Sequence, residues 1–261
     1  MSDESMLRRQ RTVRIEAVVL RHSNWGEADR FLSLFTLEMG KIRAIAKGVR
    51  KPHSRKAGHL EPFTQVSLLL ARGRDIPIIT QAETVEPYLI LKEDLAAATY
   101  AFYVVELVDR FTFEEGANRG LYSLLVKTLS RLTQSVERDL IVHYFEIHLL
   151  DLVGFRPQLF NCTNCGAEII AQDQYFSAAT GGVLCPGCGK QNSSALPISM
   201  NALKYMRYFQ RSSYADVERI RLEDGINREM ELVIQHYLGY LLESHLNTPP
   251  FLRRLRRDKS I

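Results

Sequence analysis

The chain of 261 residues lacks long apolar runs. Nowhere do about eighteen apolar residues follow one another without a charge, as a membrane-spanning helix requires. The first residues carry charges but no apolar stretch before a small-residue cleavage site, so no secretory signal is expected. Because 46% of the residues are hydrophobic, the chain can still fill an ordinary core. These features predict a soluble, cytoplasmic protein.

The sequence motifs of several enzyme classes are also missing. The chain contains no G-x-x-x-x-G-K-[ST], G-x-G-x-x-G or G-x-S-x-G pattern, so ATP-dependent work is not expected of it. His143 and His148 flank Glu146, but their spacing breaks the H-E-x-x-H pattern, and we interpret them as core or helix-surface residues. The carboxylates do not cluster as in a two-metal nuclease. We therefore predict that the protein is not an enzyme.

Cysteine is scarce, and its distribution argues against a disulfide framework. The four cysteines lie between residues 162 and 188, whereas disulfides in secreted proteins join distant loops. They form two C-x-x-C-G motifs that supply four thiolates, which complete a tetrahedral site and leave no coordination position for water or substrate. The pattern predicts one structural Zn²⁺ ion, bound by Cys162, Cys165, Cys185 and Cys188.

Other uses of the cysteines remain open: a redox dithiol, a rubredoxin-like iron site or a pair of disulfides. A thioredoxin-type dithiol needs one C-x-x-C motif in a βαβ context, which is absent here, so zinc is favoured. Residues 174–177 and 181–184 are expected to form a hairpin that brings the two motifs together. Gly166 and Gly189, which follow the second cysteine of each motif, are expected to allow a positive φ.

Positive charge is distributed unevenly. The net charge is only +4, but residues 41–59 contain seven lysines and arginines and no acidic residue. Residues 253–259 contain five basic residues beside one aspartate, so the remainder of the chain is net acidic. Local basicity indicates contact with a polyanion at defined places. We predict that the first segment binds nucleic acid through Lys41, Arg43, Lys47, Arg50, Lys51, Arg55 and Lys56.

Strand periodicity predicts which residues of this basic segment lie on the same face of a strand. Alternation places Lys41 and Arg43 on one side of a strand, and two further steps bring Lys47 and Val49 to the same side. The alternative interpretation of such a charge run is a solvated, mobile loop. The arginines of residues 253–257 either extend the basic track or form a solubilising tail, and the sequence does not decide between the two.

Five segments rich in β-branched residues come first in the chain. They are residues 13–22, 30–37, 40–48, 63–72 and 77–86. Five strands without an intervening helix predict a small closed barrel, for which the OB-fold is favoured and an SH3-like barrel is the main rival. Trp25, Phe31 and Phe35 are candidates for stacking on bases, although Phe31 and Phe35 have the spacing of core residues.

Helical periodicity replaces the strand pattern after Leu89. Further helices are predicted over residues 118–133, 136–153, 199–210 and 226–246. These helices are expected to form a bundle into which the cysteine segment is inserted. The fold class is therefore α+β and multidomain. The predicted domains are an OB-fold domain at 1–88, a helical domain at 89–160 and 197–261 with a basic tail, and a zinc module at 161–196.

Several motifs resemble, in order and spacing, those of the bacterial RecO recombination-repair family. They are EAVVLR at 16–21, GEADRF at 26–31, GKIRAIAKG at 40–48, LEPF at 60–63, QAE at 81–83 and LLDLVGFRP at 149–157, which leads into the first cysteine motif. The likeness extends from about residue 13 to about residue 246. It implies an N-terminal OB-fold, a helical domain and a zinc module.

The resemblance also implies a function. RecO-like proteins bind single- and double-stranded DNA, anneal complementary strands, and act with RecR to load RecA onto DNA covered by single-strand-binding protein (SSB). A cytoplasmic, nucleoid-associated protein without nucleotide hydrolysis is implied, with the acidic SSB tail expected on the helical domain. In that family, basic residues of the strand matching 40–48 contact DNA, and this role carries over to Lys41, Arg43 and Lys47. It extends more loosely to Arg50, Lys51, Arg55 and Lys56.

A zinc-ribbon factor for transcription or ribosome assembly is the alternative function. In such a protein the zinc module itself holds RNA or a polymerase. Between residues 160 and 197, however, Lys190 is the single lysine or arginine, beside the acidic Glu168 and Asp173. This segment is therefore poorly suited to phosphates, and some RecO-like proteins lack the cysteines, so zinc is expected to support the fold.

Overall fold

The computed structural model describes residues 11–114, 116–243, 246–250 and 252. Contacts within the chain separate two compact units, one formed by residues 1–135 with 248–261 and the other by residues 136–247. Across the described residues, the helices are too short or too polar to cross a membrane. The arginines of residues 253–257, which the sequence singles out, lie outside the described residues.

Five strands of the first unit close a barrel. They are β1 (Thr12–Trp25), β2 (Asp29–Thr36), β3 (Gly40–Ala46), β4 (Gln65–Ala71) and β5 (Ile78–Glu86). The order around the barrel is β1-β2-β3-β5-β4. Neighbouring strands are antiparallel except β3 and β5, which pair in parallel at Ile45 and Ile78. This arrangement confirms the predicted OB-fold.

Strand alternation fills the barrel. In β4, Val66, Leu68 and Leu70 are fully buried, while the residues between them are partly exposed. In β3, Ala44 and Ala46 lie in the same core. The alternating apolar side chains of the five strands therefore meet inside the barrel, as a period of two requires.

The long first strand is buried on both faces. Ile15, Ala17 and Val19 belong to the barrel core, and Val18 and Leu20 on the opposite face are buried as well. The second face is covered because the helix Leu95–Phe111 packs against β1 and β2. Burial on both sides explains why this segment shows a broken alternation in the sequence.

The first unit continues with three helices: α1 (Ile90–Glu93), α2 (Leu95–Phe111) and α3 (Arg119–Gln134). The sequence pattern predicts one helix where the structure has α1 and α2. Asp94 separates them because its backbone is extended and its carboxylate accepts hydrogen bonds from the amides of Ala96 and Ala97. An aspartate at this position is a favourable helix N-cap.

The second unit combines helices with a small sheet. Its elements are α4 (Arg138–Leu152), β6 (Gln174–Ser177), β7 (Gly182–Leu184), α5 (Pro186–Gly189), β8 (Leu196–Ile198), α6 (Met200–Arg211), α7 (Tyr214–Val217) and α8 (Asp224–Leu242). The sheet order is β7-β6-β8, and the predicted hairpin is its β6–β7 pair. Ser199 caps α6 by accepting a hydrogen bond from the amide of Ala202 at 3.1 Å.

The predicted helices fall in both compact units. Helices α2 and α3 lie in the unit of the barrel, because their apolar faces cover the outside of β1 and β2, where the ring of Phe35 stacks on that of Tyr122. Helices α4, α6 and α8 lie in the unit of the cysteines. The predicted domain boundaries at residues 88, 160 and 196 remain a prediction.

Candidate metal centre and nucleic-acid interface

The four cysteine sulfurs form one cluster in the second unit. Their Sγ atoms all lie within 4.8 Å of one another, and those of Cys165 and Cys185 are 3.8 Å apart. A tetrahedral ion with metal–sulfur bonds of about 2.3 Å has sulfur–sulfur edges of about 3.8 Å. A disulfide would need about 2.0 Å, and all four cysteines are free. The donor set therefore fits a four-coordinate metal ion.

The two cysteine motifs use glycine for different reasons. Gly166 has a φ of 74° and closes the first turn by donating to the carbonyl of Cys162 at 2.9 Å, as the sequence predicts. The second motif continues into the short helix α5, and Gly189 donates to the carbonyl of Cys185 at 2.8 Å. Gly189 does not have a positive φ. It is required because a Cβ there would lie 2.3 Å from the ring of Tyr175.

The electrostatics of the cluster favour a bound cation. Burial of Cys162 opposes its ionisation, but hydrogen bonds from the amides of Cys165, Cys185 and Asn164 lower its pKa to about 6. The Asn164 side chain favours the Cys188 thiolate, but contacts with the other three sulfurs outweigh it and raise the Cys188 pKa to about 11. The Cys162 thiolate therefore forms more easily than the Cys188 thiolate, which the neighbouring sulfurs oppose. A divalent cation at the centre offsets this repulsion.

The basic loop, defined here as residues 47–56, begins where β3 ends. Gly48 has a φ of 64° and donates to the carboxylate of Asp29 at 2.7 Å. This turn sends Val49 into the barrel core, where it is 1% exposed. The expectation that Val49 shares a face with Lys47 is therefore wrong, because strand alternation ends at Ala46.

Four cations of the basic loop are exposed: Lys47, Arg50, Lys51 and Arg55. Arg50 donates to the carbonyl of Gly26 at 3.2 Å, which ties the loop to the β1–β2 turn. In the described part of the chain, Lys47, Lys51 and Arg55 have no ion-pair partner. Their charge is therefore available to an external anion.

Lys56 has a different position. Its ammonium donates to the carbonyls of Lys47 at 3.1 Å and Ile79 at 2.9 Å. Burial lowers the pKa of Lys56. These contacts fasten the basic loop to β5, so Lys56 holds the loop in place.

Lys41 and Arg43 lie on the outer face of β3, and both have acidic partners. Lys41 is 15% exposed, and its ammonium lies 2.8 Å from the carboxylate of Asp109 and also contacts the main-chain carbonyls of Asp109 and Thr112. Arg43 is half exposed and forms an ion pair with Glu114. The sequence could not reveal these pairings, because the acids lie about seventy residues further along the chain.

The carboxylate of Asp109 contacts donor groups from three residues of the barrel. Besides Lys41, it accepts hydrogen bonds from Arg21 Nε and Ser33 Oγ, each at 2.8 Å. Burial alone would raise the Asp109 pKa, but hydrogen bonds from Lys41, Ser33 and Arg21 together lower it below its usual value. This carboxylate therefore stays ionised and fastens α2 to β1, β2 and β3.

The three aromatic candidates for base stacking differ in exposure. Trp25, at the end of β1, is 56% exposed, and its ring packs 6.0 Å from that of Phe31. Phe35 is 1% exposed and belongs to the interior. Trp25 precedes Gly26, whose carbonyl accepts the hydrogen bond from Arg50. The indole therefore lies beside the basic loop and has an open face.

A five-stranded barrel flanked by free cations, together with a four-cysteine cluster suited to a metal ion, defines a multidomain OB-fold protein. The family model described as "Recombination protein O N terminal" matches residues 10–88, and "Recombination protein O C terminal" matches residues 92–250. The chain belongs to the RecO family.

Relatives in three bacteria are each named "DNA repair protein RecO". The protein of Dehalococcoides mccartyi is 38% identical over 241 residues, which cover 92% of this chain and 95% of that protein. The protein of Roseiflexus sp. is 39% identical over 249 residues, 95% of this chain and 88% of that protein. The protein of Desulforamulus reducens is 33% identical over 245 residues, 94% of this chain and 95% of that protein.

Proposed function

We propose that this protein is a DNA-binding recombination mediator. It anneals complementary single strands and, with RecR, helps to load RecA onto single-stranded DNA covered by SSB. The observation that carries the proposal is the group of exposed cations Lys47, Lys51 and Arg55 beside the barrel of a RecO-family chain, which have no ion-pair partner among the described residues. The protein acts in the cytoplasm at the nucleoid and catalyses no covalent reaction.

The mechanism follows from charge neutralisation. Two strands repel each other through their phosphates, and each phosphate that meets a lysine or arginine releases condensed counterions. Strands held against the basic loop approach one another at lower electrostatic cost, and their bases remain free to pair. The open face of Trp25 offers a stacking surface for one base. Single- and double-stranded DNA are both bound, because the contacts are to phosphate.

The basic residues divide into three roles in this proposal. Lys47, Arg50, Lys51 and Arg55 contact phosphate directly. Lys56 holds the loop through two carbonyls, and Lys41 fastens β3 to α2, so both act on DNA by positioning. Arg43 is half exposed, so it exchanges Glu114 for a phosphate when DNA arrives.

The cysteine cluster holds one structural Zn²⁺ ion in this proposal. Cys162, Cys165, Cys185 and Cys188 are its ligands, since zinc prefers tetrahedral thiolate coordination. The ion supplies a crosslink between the two motifs. The second unit also receives the C-terminal tail of SSB, and RecR is the second protein partner.

The proposal is tested by replacing two free cations. Lys47→Ala with Arg55→Ala removes two phosphate contacts, so affinity for an oligonucleotide at low salt falls, and the slope of log affinity against log salt becomes shallower by about 1.4. Fluorescence anisotropy measures both quantities. The matched control is Lys127→Ala with Arg228→Ala, two exposed cations outside the basic loop. Equal affinity of both double variants would remove the basic loop from the interface.

The function itself is tested by strand annealing. Labelled complementary oligonucleotides are mixed with the protein, with and without SSB. Faster annealing by the wild-type chain, lost in the Lys47→Ala, Arg55→Ala variant, is the expected result. Preferential binding of structured RNA without annealing would favour a ribosomal or transcriptional factor instead.

A further inference from the structure

One side of α6 borders a pocket of about 650 Å³ in the second unit. Positions separated by three and four residues share a helix face, so the cations of α6 form one row about 10 Å long. The pocket is lined by three cations and three aromatic rings: Lys204, Arg207, Arg211, Phe160, Tyr205 and Tyr208. Its volume lies within the range of small-ligand sites, which also suits one nucleotide.

Arg207 lines this pocket and carries one unsatisfied donor atom. Its Nε donates to the carbonyl of Leu159 at 2.8 Å, but its Nη2 atom is buried and has no hydrogen-bond partner among the described residues. Burial, followed by the neighbouring charge of Arg211, lowers the pKa of Arg207. A buried donor atom without a hydrogen-bond partner is costly. Among the described residues, Glu168 acts on Arg207 through its charge, but Nη2 donates no hydrogen bond to it.

Flat surfaces surround this donor. The Arg211 guanidinium lies over the ring of Phe160, 3.7 Å from its centroid, and that of Arg207 lies 5.0 Å from the same centroid. Tyr208 is 41% exposed. Tyrosine rings and guanidinium planes are the surfaces on which proteins stack unpaired bases.

These surfaces favour nucleic acid over an acidic peptide. A carboxylate is bound most tightly by a two-pronged guanidinium fork. The side-on fork of Arg207 is unavailable because its Nε already bonds to the carbonyl of Leu159. A row of single cations alternating with rings matches a chain that alternates phosphates and bases. Arg219 and Arg221, which flank Ile220 of the pocket in sequence, are exposed and add positive charge.

We propose that this pocket binds single-stranded nucleic acid, with a base against Tyr205 or Tyr208 and a phosphate at Lys204 and Arg207. The inference rests on the proposed annealing function and extends it. Annealing needs two strands. The basic loop of the first unit holds one, and the α6 pocket of the second unit holds the other.

The test uses the full-length, metal-containing protein and the variant Lys204→Glu with Arg211→Glu. Arg207 is left intact because its bond to Leu159 supports the fold. Wild-type protein is expected to bind two short oligo-dT molecules per chain, and the variant one. The affinity of the variant for a second oligo-dT molecule is expected to be at least about tenfold lower than that of the wild type. Lys127→Glu with Arg228→Glu is the charge-matched control, and metal content and melting show whether each variant folds.

A photocrosslink locates the second strand. An oligonucleotide carrying 5-iododeoxyuridine is irradiated with wild-type protein, and mass spectrometry is expected to find adducts on Tyr205 or Tyr208. One oligo-dT per wild-type chain, without an adduct on either tyrosine, would overturn the proposal. So would capture of a phenylalanine-ended oligo-aspartate peptide by this pocket in preference to oligo-dT.

The outcomes separate this inference from the function on which it rests. If oligo-dT binding and annealing depend on Lys47 and Arg55 but are unaffected by Lys204→Glu with Arg211→Glu, the pocket assignment alone fails. If the wild-type chain neither binds nor anneals DNA, both proposals fail together.

Discussion

The carboxylate of Asp109 influences which cations of the basic surface are free to bind an anion. Its hydrogen bonds with Lys41, Arg21 and Ser33 use positive charge that the sequence pattern assigns to DNA. Lys47, only six residues after Lys41, has no such partner in the part of the chain that is described. Two lysines of one predicted stripe are therefore expected to differ in role, one in stability and the other in binding.

Replacing Asp109 tests its structural role. Asp109→Asn removes a charged acceptor of three donors, so the free energy of unfolding at neutral pH is expected to fall by about 2 kcal/mol. The folded-state pKa of Asp109 is lowered. Its contribution is therefore present above the unfolded pKa of about 3.9 and is lost as the pH falls through the folded pKa.

Urea unfolding at several pH values between neutral and strongly acidic measures this difference. Asp75→Asn, at an exposed position, is the control and should match the wild type throughout. A deficit of Asp109→Asn that stayed constant in strong acid would show that lost packing, and not charge, was responsible.

His143 is a second buried group that titrates. It is 1% exposed and lies 3.0 Å from Glu146 and 2.8 Å from the Asn227 side-chain oxygen. Burial alone would lower its pKa, but the hydrogen bond and charge of Glu146, with Asp139 and Asn227, raise it above its ordinary value. The predicted role of core residue is confirmed, and no ligand role follows from it.

The raised pKa of His143 determines the direction in which stability changes with pH. Its contribution is complete below the unfolded pKa of about 6.5 and is lost as the pH rises through the folded pKa. Stability measured in mildly acidic and then alkaline buffer should therefore fall more for the wild type than for His143→Gln. Parallel curves for the two proteins would contradict an ion pair with Glu146.

At the scale of elements, the two cysteine motifs and the β6–β7 hairpin are joined around the cysteine cluster. The Thr163 amide donates to the carbonyl of Val183 at 2.9 Å, so the first motif is fastened to β7 directly. The second motif follows β7 without a break, since Leu184 ends that strand and Cys185 begins the turn. Metal binding and folding of this segment are therefore expected to be coupled.

Metal removal is expected to damage the second unit first. After treatment with a chelator, or in Cys162→Ser, amides of residues 158–198 should exchange hydrogen faster by at least about tenfold. Amides of the barrel strands should keep their protection. Hydrogen exchange read by mass spectrometry measures both. Metal-free protein that stayed protected throughout would exclude a structural role for the ion.

Elements differ in how far the sequence reveals them. The strands were predictable to within a few residues because alternation and turn residues are local signals. The break at Asp94 was missed because a capping carboxylate competes with an otherwise continuous helical pattern. Val49 was misplaced because a single glycine with positive φ ends the alternation.

At the scale of the whole molecule, the family and the cysteine cluster were predictable and the distribution of charge was not. Motif order and C-x-x-C spacing can be seen directly in the sequence. Ion pairs such as Lys41 with Asp109, and contacts such as Arg207 with Leu159, join residues that lie far apart in sequence. No local pattern reveals them, so the α6 pocket has no signature in the sequence beyond three spaced cations.

Trp25 gives the protein a built-in optical probe. It is the only tryptophan of the chain, so selectively excited indole emission arises from one position. That position is exposed and adjoins the turn to which Arg50 bonds. A base that stacks on the indole quenches this emission, whereas a strand that reaches the tyrosines of α6 is recorded by its photoadducts. Arrival of each strand can therefore be timed separately, without attaching a dye to the protein.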